Sequence, residues 1–300
     1  MNQRFNHFAA LAALTCMSLS AGSALGLEGT PAAAGEQAPP PAIVAAQSAW
    51  LLSGATSTRS EVKPLVSQKT GWQLVPQLSD EFVGKGLDAA KWDNDVKDWG
   101  VWSWEPGNAW VSDGRLNLRM EYNVHKRGMW TLYYKSGIVK SKAPPIRYGY
   151  FEARIKAASR FPGVAPAFWA YRDDGTEWTE IDFVELTQRR KDAKLIDTNV
   201  HVFKQPAFPG TLPLQEERTW QAPWDPREGF HVYGCEWDAK EIRWYVDGRL
   251  IQARKNDYWH QALDVTLSLG VRGDLKTTAT PEGFPTTALV DYVRVWTTPN

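Results

Sequence analysis

Beyond about residue 70 the chain is written in period two. Arg115-Leu116-Asn117-Leu118-Arg119-Met120 alternates polar and apolar side chains, as does Phe151-Glu152-Ala153-Arg154-Ile155-Lys156-Ala157, the pattern of a half-buried strand. Two Asp-Gly pairs, Asp113-Gly114 and Asp247-Gly248, each separate such runs. Both central residues of a two-residue hairpin turn need positive φ, and Asp-Gly adopts it readily. Further strands are expected at Asn199 to Phe203, Glu241 to Val246, Asp264 to Leu269 and Ala288 to Trp296. No segment of helical length carries a sustained apolar stripe, so the reading is all-β: an antiparallel sandwich of two curved sheets whose concave face forms a groove. There is no internal repeat and no sign of a second domain.

The hydrophobic share of 43%, with 12% aromatic residues, is ample for a buried core. Lys plus Arg equal Asp plus Glu at 34 each, so the formal net charge is zero. No overall field favours nucleic acid or an anionic membrane, and any anion must be held by locally placed cations. Neither a nucleic-acid partner nor stable membrane insertion is expected, and a monomer is.

Residues 1–26 carry Arg4, the apolar stretch Phe8 to Leu14 and small residues up to Gly26, the plan of a secretory signal peptide cut near Ala24 or Gly26. That places the mature protein outside the cell or in the periplasm. Leu14-Thr15-Cys16 matches a lipoprotein processing site poorly. Cleavage would remove Cys16 and leave Cys235 alone, with no intramolecular disulfide and a small buried residue as its expected role. Residues 27–70, rich in Ala, Pro, Ser and Gln, read as a leader or linker. Residues 71–300 are the expected folded domain.

The chemistry concentrates in Trp178-Thr179-Glu180-Ile181-Asp182-Phe183-Val184-Glu185-Leu186, with three carboxylates within six residues. In an ideal strand Glu180 and Asp182 share a face and Glu185 points away. One extra residue in a β-bulge at Phe183-Val184 would return Glu185 to their face. Acids held that close cannot all ionise freely, so at least one pKa must rise, and a carboxyl that keeps its proton near neutral pH can act as a general acid. A retaining glycosidase uses such a pair at roughly 5 to 5.5 Å. A bare string of this kind is more often a solvated acidic strand face. Here Trp169 and Trp178 stand close by in sequence, and aromatic rings beside carboxylates suit the apolar face of a sugar.

Sixteen tryptophans are many for this length. Half or more, Trp244 and Trp296 included, read as core, whereas Trp102 and Trp104 in polar, loop-like surroundings are candidates for a sugar-stacking cleft. Arg154 and Lys156 read as a solvated face.

These stretches resemble the catalytic domain of glycoside hydrolase family 16 from about Gln73 to Trp296. The resemblance is carried by Leu78-Ser79-Asp80-Glu81-Phe82, Glu180-Ile181-Asp182-Phe183-Val184-Glu185, Trp244-Tyr245-Val246-Asp247-Gly248 and Val290-Asp291-Tyr292-Val293-Arg294-Val295-Trp296. The longer acidic motif is the bulged version found in laminarinases, agarases, porphyranases and carrageenases. Tyr148 to Lys156, Phe161 to Trp169, Val184 to Gln188 and Glu282 to Thr287 are most similar to κ-carrageenases and furcellaranase-like hydrolases of red-algal galactans.

The resemblance implies a concanavalin-like β-jelly-roll and endo-hydrolysis of β-1,4 bonds with retention of configuration. Glu180 would be the nucleophile, Asp182 its orienting partner and Glu185 the general acid and then base. Trp169 and Trp178 would stack sugar rings, and His201 would meet substrate or an acid, with a buried, satisfied histidine as the competing reading. Arg272 matches an arginine that meets a galactose sulfate, against a plain ion pair. No cofactor is implied for catalysis. A structural calcium is, with Asp291 and the Gly114 carbonyl as ligands, against a strand-end role for Asp291. Between His201 and Trp224 the chain departs from the κ-carrageenase pattern, which leaves furcellaran or hybrid β/κ-carrageenan, porphyran and agarose open as substrates. A non-catalytic carbohydrate-binding jelly roll is the reading from another class.

Overall fold

The structure is a computed structural model that describes residues 62–66, 69–188, 191–206 and 213–298. The expected export signal, Cys16 and most of the leader lie outside the described residues.

Alternation is realised as strands in chain order: β1 (Gln73–Leu74), β2 (Trp92–Asp93), β3 (Ser103–Trp104), β4 (Ala109–Ser112), β5 (Arg115–Arg127), β6 (Trp130–Ser136), β7 (Ile138–Ser141), β8 (Gly149–Lys156), β9 (Val164–Asp173), β10 (Trp178–Glu185), β11 (Leu195–Lys204), β12 (Leu214–Gln215), β13 (Arg218–Gln221), β14 (His231–Trp237), β15 (Glu241–Val246), β16 (Arg249–Lys255), β17 (Asp264–Val271) and β18 (Thr286–Thr297). The helical elements among the described residues are short 3-10 turns. Both Asp-Gly pairs form the expected hairpins, with φ of 52° and 68° at Asp113 and Gly114 and 47° and 80° at Asp247 and Gly248.

Two sheets face each other as a jelly roll. The outer one runs β16-β15-β14-β8-β18-β5-β6-β3, with β1 on β18 and β4 on β5, and the inner one runs β12-β11-β10-β9-β17-β7-β2, with β13 on β11. Among the described residues the named strands pair antiparallel except β3 with β6. The core lies between the sheets, where Phe151 of β8 stacks on Phe183 of β10 with ring centroids 4.7 Å apart. Trp244 and Cys235 are buried there, whereas Trp296 is buried on the opposite face of the outer sheet with Tyr150 and Val62; burial pushes the Cys235 thiol well above its usual range.

β8 departs from the half-buried expectation. Its polar face carries Glu152, which is 1% exposed, beside the fully buried Arg294 of β18. A buried charge needs partners, and part of the partnership comes from the segment read as leader. The Leu65 amide donates to Glu152 at 2.9 Å, Trp296 Nε1 donates to the Val62 carbonyl at 2.7 Å, and Lys69 pairs with Asp238 at 2.6 Å. The packed chain therefore begins by Val62, ahead of the expected boundary at 71. Arg154 is not a free solvated cation either: it bonds Asp291 at 2.6 Å and covers the Phe230 ring at 4.8 Å.

Candidate active site

The acidic row is made by a register slip. On β10, Asp182 pairs with Trp169 of β9 and Val184 with Phe168, so Phe183 is an extra residue; against β11, Phe183 and Val184 together oppose the one step between Asn199 and Asp197. Phe183 and Val184 both go into the core, at 2% and 1% exposure. Two successive inward side chains turn Glu185 outward again, onto the face of Glu180 and Asp182. The indole N–H of Trp244, from the outer sheet, donates to the Asp182 carbonyl at 3.0 Å, so the distorted backbone keeps a hydrogen-bond partner.

All three acids line one cleft on the inner sheet, with Trp169, Asn199, His201 and Arg272 around them. His201 Nε2 stands 3.3 Å from Asp182 and 3.6 Å from Glu180. Arg272 donates one guanidinium arm to Glu185 at 2.7 Å and another to Gln188 at 3.3 Å. Burial raises the Glu180 pKa, and the Asp182 carboxylate raises it further. Burial followed by Glu185 does the same to Asp182. At His201 burial opposes the charge, but contact with Asp182 and the charges of Glu180 and Glu185 outweigh it and raise its pKa to about 9. The crowded row thus holds a proton more readily than isolated carboxyls do, at Glu180 and Asp182.

Glu180, Asp182 and His201 each present a ligand atom within 4.8 Å of the others. The contacts of the imidazole with both carboxylates account for that closeness as an acid–imidazole cluster. The calcium expectation meets an obstacle at the convex side. Asp291 is bonded by Arg154 at 2.6 Å and approached by Arg115 at 4.0 Å, so two guanidinium groups hold the carboxylate and the donors do not fit a cation with Gly114.

The aromatic expectations divide. Trp169 lines the cleft, anchored through Nε1 to Ser268 at 3.1 Å and stacked on Tyr171 at 4.5 Å. Trp102 and Trp104 also line it, yet each is only 5% exposed and they pack edge to face at 5.3 Å. They form a wall more than an open platform. Trp178 does not line it; its ring lies 4.7 Å from Phe203, which does and which stacks on His201 at 5.1 Å.

Sequence reasoning missed the support behind Glu185. Gln188 Nε2 donates to Asp197 at 2.7 Å and Glu217 at 3.2 Å, with Glu185 at 3.4 Å, and Asp197 is fully buried opposite Glu185 in the ladder. Glu217 comes from the stretch between His201 and Trp224, of which residues 207–212 lie outside the described residues. The buried aspartate in Leu195-Ile196-Asp197-Thr198 was the available signal.

A jelly roll whose cleft strand carries a bulged row of acids is the architecture of a glycoside hydrolase. The chain belongs to glycoside hydrolase family 16: residues 72–298 match the family model described as the GH16 domain of beta-porphyranase A-D. It is similar to the κ-carrageenase of Pseudoalteromonas carrageenovora, 39% identical over 293 residues covering 86% of this chain and 72% of that protein. The crystal structure of the κ-carrageenase from that organism with an oligotetrasaccharide of κ-carrageenan agrees with a TM-score of 0.71 at 36% identity, covering 79% of this chain and 99% of that one. Similarity also extends to β-porphyranase E of Zobellia galactanivorans, 31% identical over 193 residues, 59% of this chain and 67% of that protein.

Proposed function

We propose that this chain is an exported endo-hydrolase that cleaves β-1,4 bonds in a sulfated red-algal galactan, κ-carrageenan or furcellaran, with retention of configuration. The observation that carries the reading is the bulge at Phe183-Val184, which gathers Glu180, Asp182 and Glu185 in one cleft beside Arg272. Glu180 attacks the anomeric carbon while Glu185 protonates the leaving oxygen; Glu185 then takes a proton from the water that releases the glycosyl-enzyme. Asp182, between them on the strand face and 3.3 Å from His201, orients Glu180 and shares the row's proton. Arg272 trades part of its contact with Glu185 for a substrate sulfate, which its planar fork suits. Trp169 receives a sugar ring. The reading of residues 1–26 as an export signal agrees with a polymer that cannot enter the cell.

Porphyran is the second reading, favoured by the porphyranase description of the matching family model. Reducing-end release from purified κ-carrageenan, furcellaran, ι-carrageenan, porphyran, agarose and laminarin separates these, and release from laminarin alone overturns the galactan assignment. Glu180→Gln should abolish hydrolysis and keep polymer binding; a variant that still hydrolyses removes Glu180 from the nucleophile's role. Retention is checked by the anomer first released, followed by NMR.

A further inference from the structure

Beside the acid cleft, past Trp102, lies a second pocket of about 140 Å³ that the catalytic reading leaves unused. One wall is the β5–β6 hairpin, which contributes Arg127, Trp130 and Leu132, and the opposite wall is the segment Leu275 to Ala279. The walls are tied together, because Tyr134 Oη donates to the Thr280 carbonyl at 3.2 Å and accepts from the Thr280 amide at 2.9 Å. Lys276 lines both this pocket and the acid cleft, so the two hollows are neighbours. Arg127 secures the join, donating to the carbonyls of Gly100 and, at 3.3 Å, of Trp102, whose ring lines the cleft.

Part of the exposed apolar surface lies at this end. Among the described residues the exposed large hydrophobics are Val83, Val101, Val124, Met129, Trp130, Tyr133 and Leu250. Of these, Val101, Trp130 and Tyr133 line this pocket. Exposed apolar area concentrated in one place marks a binding surface. Trp130 leads it at 68% exposure, an open indole of the kind that Trp102 and Trp104 no longer offer. The charged residues lining the pocket are Arg127 and Lys276, with no carboxylate. Arg127 also stands 3.9 Å from Asp98, a long ion pair, and an aromatic face joined to cations suits a ligand that is part apolar ring and part anion.

We propose that this pocket is an outer subsite of the groove, taking a sulfated sugar ring of the polymer beyond those held over the acids, with Trp130 as platform and Arg127 and Lys276 facing the sulfate. The assignment rests on the galactan reading above. Continuity with the cleft selects this occupant: a chain long enough to leave the acids at that end runs onto Trp130 next.

Trp130→Ala, Trp130→Phe and the wild-type full chain are compared on the galactan that the wild type cleaves, as polymer and as a graded series of its oligosaccharides, with melting temperature and light scattering recorded. The alanine variant is expected to lose about tenfold in kcat/KM on polymer, mostly through KM, with the loss shrinking as the oligosaccharide shortens and largely restored by phenylalanine. A loss equal at every chain length, or no loss on polymer, overturns the subsite while the galactan reading stands. A change of oligomeric state in the alanine variant assigns the patch to a second copy of the chain and also overturns it. Failure of the wild type to cleave any galactan overturns both.

Discussion

Trp244 of β15 places its indole nitrogen 3.0 Å from the backbone carbonyl of Asp182, so a side chain of the outer sheet holds the carbonyl that begins the bulge on the inner one. The geometry of the acids thus depends on a residue that never reaches the cleft.

Trp244→Phe keeps the ring and removes the donor. Leaving that buried carbonyl without a partner should cost about 1–3 kcal/mol of stability, read as a lower urea midpoint. Because Glu185 reaches the cleft only through the bulge, kcat should fall about tenfold or more with KM little changed, as expected for a misplaced acid. An unchanged kcat would detach the bulge from this hydrogen bond.

His201 makes stability depend on pH. Its pKa is raised from 6.5 to about 9, so the folded chain binds a proton that the unfolded chain has lost across that range. The contribution is fully present below pH 6.5 and disappears as pH rises through 9. Glu180, raised from 4.5 to about 8, acts with the same sign between those two values, and Asp182 is raised as well. The urea midpoint of the wild type should therefore fall between pH 6.5 and 9, and His201→Asn should show a shallower fall. A midpoint that rises over that interval would contradict the charged imidazole.

Arg272 bonds Glu185 at 2.7 Å and is the guanidinium beside the acids in the cleft lining. Lysine cannot reproduce its fork. Arg272→Lys should raise KM for a sulfated galactan about tenfold, and affect its enzymatically desulfated counterpart much less. Equal effects on the two polymers would leave Arg272 with the task of holding Glu185 alone.

Away from the cleft, Arg294 is fully buried and forked onto Glu81 at 2.8 and 2.9 Å, with its guanidinium 3.6 Å above the Tyr292 ring. Burial opposes its charge, but Glu81 more than offsets this and raises the pKa. Glu81→Ala strands a cation in the interior and should cost about 3–5 kcal/mol, measured by denaturant unfolding. A loss well under that range would show that Glu152 and the tyrosine suffice.

Much of this molecule is legible residue by residue. Alternation at Arg115 to Met120 and positive φ at Asp113-Gly114 are local consequences of backbone geometry, and they hold wherever the chain goes. The acidic row was legible for the same reason: two adjacent apolar residues between Asp182 and Glu185 can both be buried only if the strand bulges.

What the sequence by itself determined, then, is the all-β architecture and the position of the acids along one strand. Only the tertiary structure decided that Glu152 is buried under the segment from Val62, that Asp291 answers Arg154, that Trp244 holds the Asp182 carbonyl and that Trp178 leans on Phe203 outside the cleft. Each of these depends on which strands become neighbours. β8 lies between β14 and β18, partners far away in the chain, and no local pattern states which side chains such a meeting will cover or pair.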